Sequence, residues 1–406
     1  MKRELSRFCP KRRSLQFDQV FQFDQSTQDH RDEFYELHYS KLFSEMHDLV
    51  TRTFCETANP ESSPWLQEYP RQFIKYVELL ARPDPHAAKW DRLLRDETER
   101  SFLLQATIMK IIDAKVFSSL LFGADSEHLG VLQATDASLV NAEGFRRTVV
   151  RAQTNRMYLG VKRGQPPLFW EEVDKLCTQV LAVLLPTFTW TSETRKSQAP
   201  SVQRLYQWLH DVIAYAGWIN VCIRLSPAII TSDWVKPGER FHLDQVNLSQ
   251  DVYEYSAKRV EAWLRRTNSS CEMVARVKIS VAPEIIRYKP AMDAFGRQGT
   301  TKYTIMNSHV VYYEGWDLDQ DEDKRYVSLP DYIQRLRERK TVPRGAALFI
   351  MFFMLVVFLV FWGSSEDVKM MMKTPLTQHG GASGGTPRKD DPDVGARTLL
   401  GCPRVY

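Results

Sequence analysis

Four aspartates, Asp317, Asp319, Asp321 and Asp323, alternate along one segment as oxygen ligands do in a calcium-binding loop. Such a loop also needs glycine at its sixth position for the sharp turn and glutamate at its twelfth as a bidentate ligand. Glu322 and Ser328 stand there instead, so the expectation is a solvated acidic loop. His242, Asp244 and His309 offer the two imidazoles and one carboxylate of a facial iron triad. That triad requires strands on both sides of its first motif, whereas a helical pattern follows this one. His242 therefore reads as a loop histidine and His309 as a strand-face histidine. Gly381-Ala382-Ser383-Gly384-Gly385 spells a nucleophile elbow. An elbow needs a strand before its serine and a helix after it, and this serine sits in a Gly-rich tail.

Other chemistry is excluded by what is not spelled. There is no phosphate loop of the form GxxxxGK followed by Ser or Thr, no GxGxxG after a strand and no HExxH. The commonest NTPase, dinucleotide-enzyme and metalloprotease readings fall with them. Six cysteines, Cys9, Cys55, Cys177, Cys222, Cys271 and Cys402, never approach a CxxC spacing. A zinc ribbon and a thioredoxin-type pair are out, and scattered thiols fit a reducing compartment. Trp90, Trp170, Trp208, Trp218 and Trp263 fall on helical patterns and could line a ligand pocket, though aromatics of this size fill cores by default. No catalytic, cofactor-binding or metal-ligating residue is assigned, and no cofactor is expected.

The elements that would position any site follow from composition and period. The chain has 406 residues, 43% hydrophobic and 26% charged, with a formal net charge of +4. These figures exclude a wholly disordered chain, a collagen-like fibre and a multi-span membrane protein. The charge is uneven: residues 1–13 carry net +5, residues 324–344 net +5, residues 364–406 net +1, and residues 14–323 net −7. Lys11-Arg12-Arg13 reads as a solvated basic end, and no nucleic-acid partner is expected. No apolar run follows the N-terminal charges, so a secretory signal peptide is not expected.

Residues 345–363, GAALFIMFFMLVVFLVFWG, carry no charge and no Asn, Gln, Ser or Thr. Nineteen helical residues rise about 28 Å, near the hydrocarbon thickness of a bilayer. The expectation is a transmembrane helix with Gly345, Phe349, Phe353, Val357, Phe361 and Trp362 in the membrane. Arg335, Arg337, Arg339, Lys340 and Arg344 precede it, so the positive-inside bias places the N-terminal domain in the cytosol. The short span favours the endoplasmic reticulum or a related endomembrane over the plasma membrane. The same basic residues could hold anionic lipid headgroups. On this topology the triplets Asn247-Leu248-Ser249 and Asn268-Ser269-Ser270 stay unglycosylated. A soluble protein with 345–363 buried is the rival.

Helical spacing recurs over 28–55, 70–82, 86–122, 168–185 (ended by Pro186), 201–225 and 250–266, with a polar loop over 187–200. The 86–122 segment reads as one central core helix stopped by Gly123. The period then changes to two over 271–283, where Met273, Ala275, Val277, Ile279 and Val281 alternate with Val274, Arg276, Lys278 and Ser280. A second β-rich run covers 301–313, beyond the turn AFGRQG. The expected fold class is mainly α, a multi-helix cytosolic domain with a small antiparallel β element and one C-terminal transmembrane helix. Its parts are a basic N-terminus (1–27), a helical domain (28–270), a β element with the acidic loop (271–330), a basic juxtamembrane segment (331–344), the span (345–363) and a disordered tail (364–406).

Trp90-Asp91-Arg92-Leu93-Leu94-Arg95-Asp96, KIIDAKVFSSLLFGA (110–124), PPLFWEEVDKL (166–176) and VCIRLSPAI (221–229), in that order, resemble an uncharacterised helical protein family of filamentous ascomycete fungi. The resemblance covers roughly residues 65–265 and implies a helical body, with no activity, cofactor or catalytic residue to carry over. The function expected from all this is a membrane-anchored interaction or scaffold module, with the lipid bilayer and an unidentified protein as partners. The alternative is a tethered enzyme or small-ligand binder, for which a partly polar cavity holding perturbed titratable groups would speak.

Overall fold

In a computed structural model the described residues are 29–54, 63–85, 90–141, 144–162, 164–194, 200–268, 271–292, 298–341 and 351–358. The chain divides into two compact units, Met1–Lys340 and Thr341–Tyr406. The first unit opens with α1 (Asp32–Phe54), whose Tyr35, Tyr39, Leu42, Met46 and Leu49 are buried at helical spacing. A short helix, α2 (Arg71–Leu80), follows a 3-10 turn at Pro64–Leu66.

The expected single helix over 86–122 is broken into α3 (Trp90–Arg95) and α4 (Glu97–Ile112). Asp96 breaks it by acting as an N-cap, its carboxylate accepting the Glu99 N–H at 3.0 Å. A side chain able to satisfy an orphan donor offers the backbone an alternative to continuing. The core role does hold, since α4 is buried along most of its length. It ends in a π-helical turn, Asp113–Phe117, closed by Ser118 N–H to the Asp113 carbonyl at 3.0 Å. Gly123, at φ +78°, stops the segment.

Two helices escaped the periodicity reading, α5 (Ser126–Ser138) and α6 (Gly144–Val161). Each buries only two or three residues, so neither has a marked apolar stripe. In α7 (Phe169–Thr194) the helix runs through Pro186 instead of stopping there, so part of the expected polar loop is helical. Phe188, Trp190 and Thr191, beyond the proline, are all buried. Their burial outweighs the roughly 3 kcal/mol that an internal proline costs. The next helix, α8 (Val202–Leu225), begins at an N-cap Ser201, whose side chain accepts the Arg204 N–H.

The β part is larger than expected. The strands are β1 (Ile229–Asp233), β2 (Gln245–Asn247), β3 (Met273–Ala282), β4 (Glu284–Met292), β5 (Gln298–Met306) and β6 (Ser308–Trp316), with α9 (Gln250–Thr267) between β2 and β3. They form two three-stranded sheets, ordered β1-β4-β5 and β2-β6-β3. The β2–β6 pair is parallel and the others antiparallel, which corrects the expectation of one small antiparallel element. Arg276, Lys278 and Ser280, on the polar face of the β3 alternation, are buried as deeply as Val277 and Ile279. The strand is covered on both sides. A short helix, α10 (Asp319–Asp323), and then α11 (Leu329–Thr341) complete the unit.

The transmembrane helix is also corrected. Among the described residues no helix is long and apolar enough to cross a membrane. Of the apolar run, residues 351–358 are described, as a helix with every side chain exposed. Phe353 and Val357 lie on that helix at 63% and 36% exposure. Gly345, Phe349, Phe361, Trp362 and Arg344 lie outside the described residues, as do the basic N-terminus and the tail. Arg335, Arg337, Arg339 and Lys340 fall on α11, with Arg335 and Arg337 exposed.

Three histidines record how tightly the helices and sheets close. His38 on α1, His210 on α8 and His309 on β6 all have pKa values held below the ordinary 6.5, chiefly by burial. The folded state therefore binds fewer protons than the unfolded chain just below that pH, and stability is lost on acidification. The urea midpoint is expected to fall between about pH 7 and about pH 5. His210→Gln should flatten that slope, although Asp174 and Asp211 face His210 and partly offset its burial.

Candidate functional site

The turn after α4 exposes backbone carbonyls that no longer have helical partners. Residues one turn apart on α8 reach them. Asn220 Nδ2 donates to the Val116 carbonyl at 2.8 Å while its Oδ1 accepts the Phe122 N–H at 2.9 Å. One turn later the Arg224 guanidinium donates to the Phe117 carbonyl through Nη2. The last carbonyls of α8 are held in turn by α6. Asn155 donates to the Arg224 carbonyl at 3.0 Å and Arg156 to that of Leu225 at 2.8 Å. From there the chain enters β1, where Ser232 Oγ donates to Asp113 Oδ1 and Trp234 Nε1 to Asp113 Oδ2, both at 2.7 Å.

Between these elements lies a cavity of about 340 Å³. Its polar lining is Tyr39, Asp113, Ser118, Arg224, Thr231 and Ser232, and its apolar walls include Phe117, Ile223, Ile230 and Ile285. Among the described residues Arg224 makes no ion pair, and its guanidinium donates to the Phe117 carbonyl. Burial, then the nearby Arg151 guanidinium, pull its pKa down to about 10, so it is still a cation at neutral pH. Its Nε and the Thr231 hydroxyl are buried without hydrogen-bond partners. The Tyr39 ring packs on Phe117 at 5.2 Å. Burial raises the Tyr39 pKa, Asp113 raises it further and Arg224 opposes them, so the hydroxyl keeps its proton. Lys110 lies 3.9 Å from Asp113 and over the Trp234 ring. The cavity thus presents, above apolar walls, the Thr231 hydroxyl and a guanidinium whose Nε has no hydrogen-bond partner.

A comparison of the chain with protein-family models, with curated proteins and with solved structures finds no match. Nothing in it bears on the resemblance to the fungal helical family, and the site is read from its own geometry.

The residues singled out by spacing are used otherwise. Each aspartate of the acidic segment is held by a cation: Asp317 by Arg240, Asp319 by Arg276, Asp321 by Lys324 and Asp323 by Arg82. Among the described residues no cluster of three or more His, Cys, Asp or Glu could hold a metal ion. His242 and Asp244 are exposed, and His309 is half-buried against Phe43, its Nδ1 2.8 Å from the Asn307 carbonyl oxygen. The tryptophans are dispersed. Trp218 packs against His38, Trp170 stacks on His210, Trp208 lies beside Arg204 and Trp263 meets Trp316 edge-on. Trp90 alone of the five borders a second cleft, of about 320 Å³, with Arg82, Glu322, Arg325 and Tyr326. There Arg82 is neutralised by Glu322 and Asp323.

The sequence reading missed Asp113, Arg224 and Thr231. A signal was present for one of them: Arg224 is the single charge that closes the uncharged run Val212–Ile223. A lone arginine at the end of a buried stripe must find acceptors, and Arg224 finds the Phe117 carbonyl.

Proposed function

We propose that this protein binds a small anionic ligand in the cavity between the π-helical turn, α8 and β1. The observation that carries the reading is Arg224, whose guanidinium Nε is buried without a hydrogen-bond partner and which has no carboxylate partner among the described residues. A buried cation without a counter-ion costs several kcal/mol, and an anion in the cavity would remove that cost. The volume, at the small end of the roughly 300–1,000 Å³ typical of ligand pockets, suits a compact molecule. The interaction-module reading draws on less: Phe241, Leu243 and Val246, near the β2 edge, are exposed apolar side chains.

Calorimetric titration of the full chain with isovalerate and with inorganic phosphate tests the proposal. At least one should bind, and Arg224→Met should weaken it about tenfold or more, the worth of one hydrogen bond to a charged group. The exposed Arg146→Gln serves as the control and should leave affinity unchanged. No binding of either anion, or equal binding by Arg224→Met, would overturn the reading.

A further inference from the structure

We infer that the cleft beside Trp90 is a second binding site, for an anion carried on a planar aromatic ring. It shares no lining residue with the cavity at Arg224, and the inference does not rest on that cavity being occupied.

The walls come first. Tyr332, Arg335 and Leu336 line the cleft from α11. They are three and four residues apart, and side chains so spaced are neighbours on one helix face. A ring, a guanidinium and an apolar group therefore stand together. Trp90 and Tyr326 also line the cleft, their rings edge-on with centroids 6.3 Å apart. Trp90 is buried and its Nε1 donates to the Val327 carbonyl at 2.9 Å. Tyr326 is 36% exposed, with Arg82 over its ring at 4.7 Å. Pro83, Pro85 and Val327 complete the apolar surface.

Charge comes second. Three guanidiniums and two carboxylates line the cleft, and both carboxylates are used internally. Asp84 is buried and accepts the Ser256 hydroxyl at 2.6 Å. Glu322 is buried, accepts the Tyr313 hydroxyl and the Trp316 N–H, and stands 3.7 Å from Arg82. Arg82 is bound further by Asp323 at 2.8 Å. Arg325 and Arg335 are exposed, and among the described residues neither makes an ion pair. Arg325 lies over the Trp316 ring at 4.3 Å, a contact that leaves its charge uncompensated. A ligand entering the cleft thus meets two cations and no open carboxylate.

The class follows from both. The cations select an anion. The tyrosine rings favour a flat ring over an aliphatic one, because aromatic pairs gain stability beyond the area they bury. About 320 Å³, at the small end for ligand pockets, admits one ring with its acidic group. Carboxylate and phosphate share this chemistry, since both match the guanidinium fork.

Calorimetric titration of the full chain with benzoate, phenyl phosphate, cyclohexanecarboxylate and benzamide tests the class. Benzoate or phenyl phosphate should bind, and the stronger identifies the acidic group. Benzoate should bind about threefold or more tightly than cyclohexanecarboxylate, and about tenfold or more tightly than benzamide, which lacks the charge. Arg335→Gln should weaken the stronger ligand about threefold or more, as for a solvated ion pair. Arg337→Gln, exposed on α11 outside the cleft, should change nothing. Arg224→Met should also leave this binding intact; its loss there would move the ligand to the first cavity and overturn the assignment. Equal affinity for cyclohexanecarboxylate would overturn the ring, and equal affinity for benzamide or by Arg335→Gln would overturn the charge. Failure of both aromatic anions would overturn the site and leave the reading at Arg224, tested with isovalerate and inorganic phosphate, standing.

Discussion

Glu99→Gln is expected to lower the unfolding free energy by about 3–5 kcal/mol, the cost of leaving a buried ion without its partner. Glu99 is fully buried at the start of α4. Its Oε1 accepts from Arg92 Nε at 2.6 Å and from Lys278 Nζ at 2.7 Å. The two cations differ in what else they have. Arg92 is part-exposed and stacks on the Tyr255 ring at 3.6 Å, so solvent and ring retain part of its stabilisation. Lys278, in the middle of β3, is 3% exposed. With a neutral amide in place of Glu99 it keeps a charge in a site that water does not reach.

Lys278→Met is expected to cost less, because Glu99 would keep Arg92. Combining Lys278→Met with Glu99→Leu removes both members of the buried pair, and replacing such a pair by apolar residues is often neutral. The double variant should therefore recover most of the loss, which gives a coupling energy well above the roughly 0.5 kcal/mol of independent sites. Urea unfolding with unchanged m-values is the measurement. A cost below about 1 kcal/mol for Glu99→Gln would mean that water reaches the pair.

This pair also marks where sequence ceases to be legible. The period-two pattern over 271–283 identifies a strand, yet it assigns Arg276 and Lys278 to an outer face. Both are buried because their partners come from far along the chain. Arg276 donates to the carbonyls of Trp316 and Gly238 and to Asp319, and Lys278 reaches Glu99. Period reports which residues share a face. It does not report whether the second face is covered. The long helices α1, α8 and α9 were readable because each has an apolar stripe in the sequence, and α8 and α9 also have serine N-caps. The weakly amphipathic α5 and α6 were not, and these local signals cannot show that α6 caps the end of α8. The cavity is a similar case. Asp113 and Arg224 are visible as rare charges in apolar surroundings, but their lining of one cavity depends on a π-helical turn and on a strand that follows α8.

The second large effect is expected at Gly123, where Gly123→Ala should destabilise by about 2–5 kcal/mol, backbone strain and overpacking taken together. Gly123 adopts φ +78°, a region that side chains with a Cβ rarely enter. It also lies against the first residue of α7, so a Cβ there would stand 2.5 Å from Phe169 Cα and 2.7 Å from its nitrogen. Those are backbone atoms and cannot rotate aside. The Gly123 carbonyl accepts the Leu168 N–H at 2.9 Å, tying the two segments at the same point. An asparagine separates the two causes, since it tolerates positive φ better than alanine but carries the same Cβ. If conformation dominated, Gly123→Asn would recover most of the loss; if contact dominates, as the 2.5 Å approach requires, it should be as damaging as alanine. Gly130→Ala, in α5 with nothing within 4 Å of the added carbon, should instead stabilise by up to about 1 kcal/mol through helix propensity. Gly123 ends the segment that carries Asp113 and the π-helical turn, and α7 packs against α8. A shift of Phe169 away from Gly123 should therefore also loosen ligand binding, and equal affinity in a folded Gly123→Ala chain would show that the cavity is insulated from this contact.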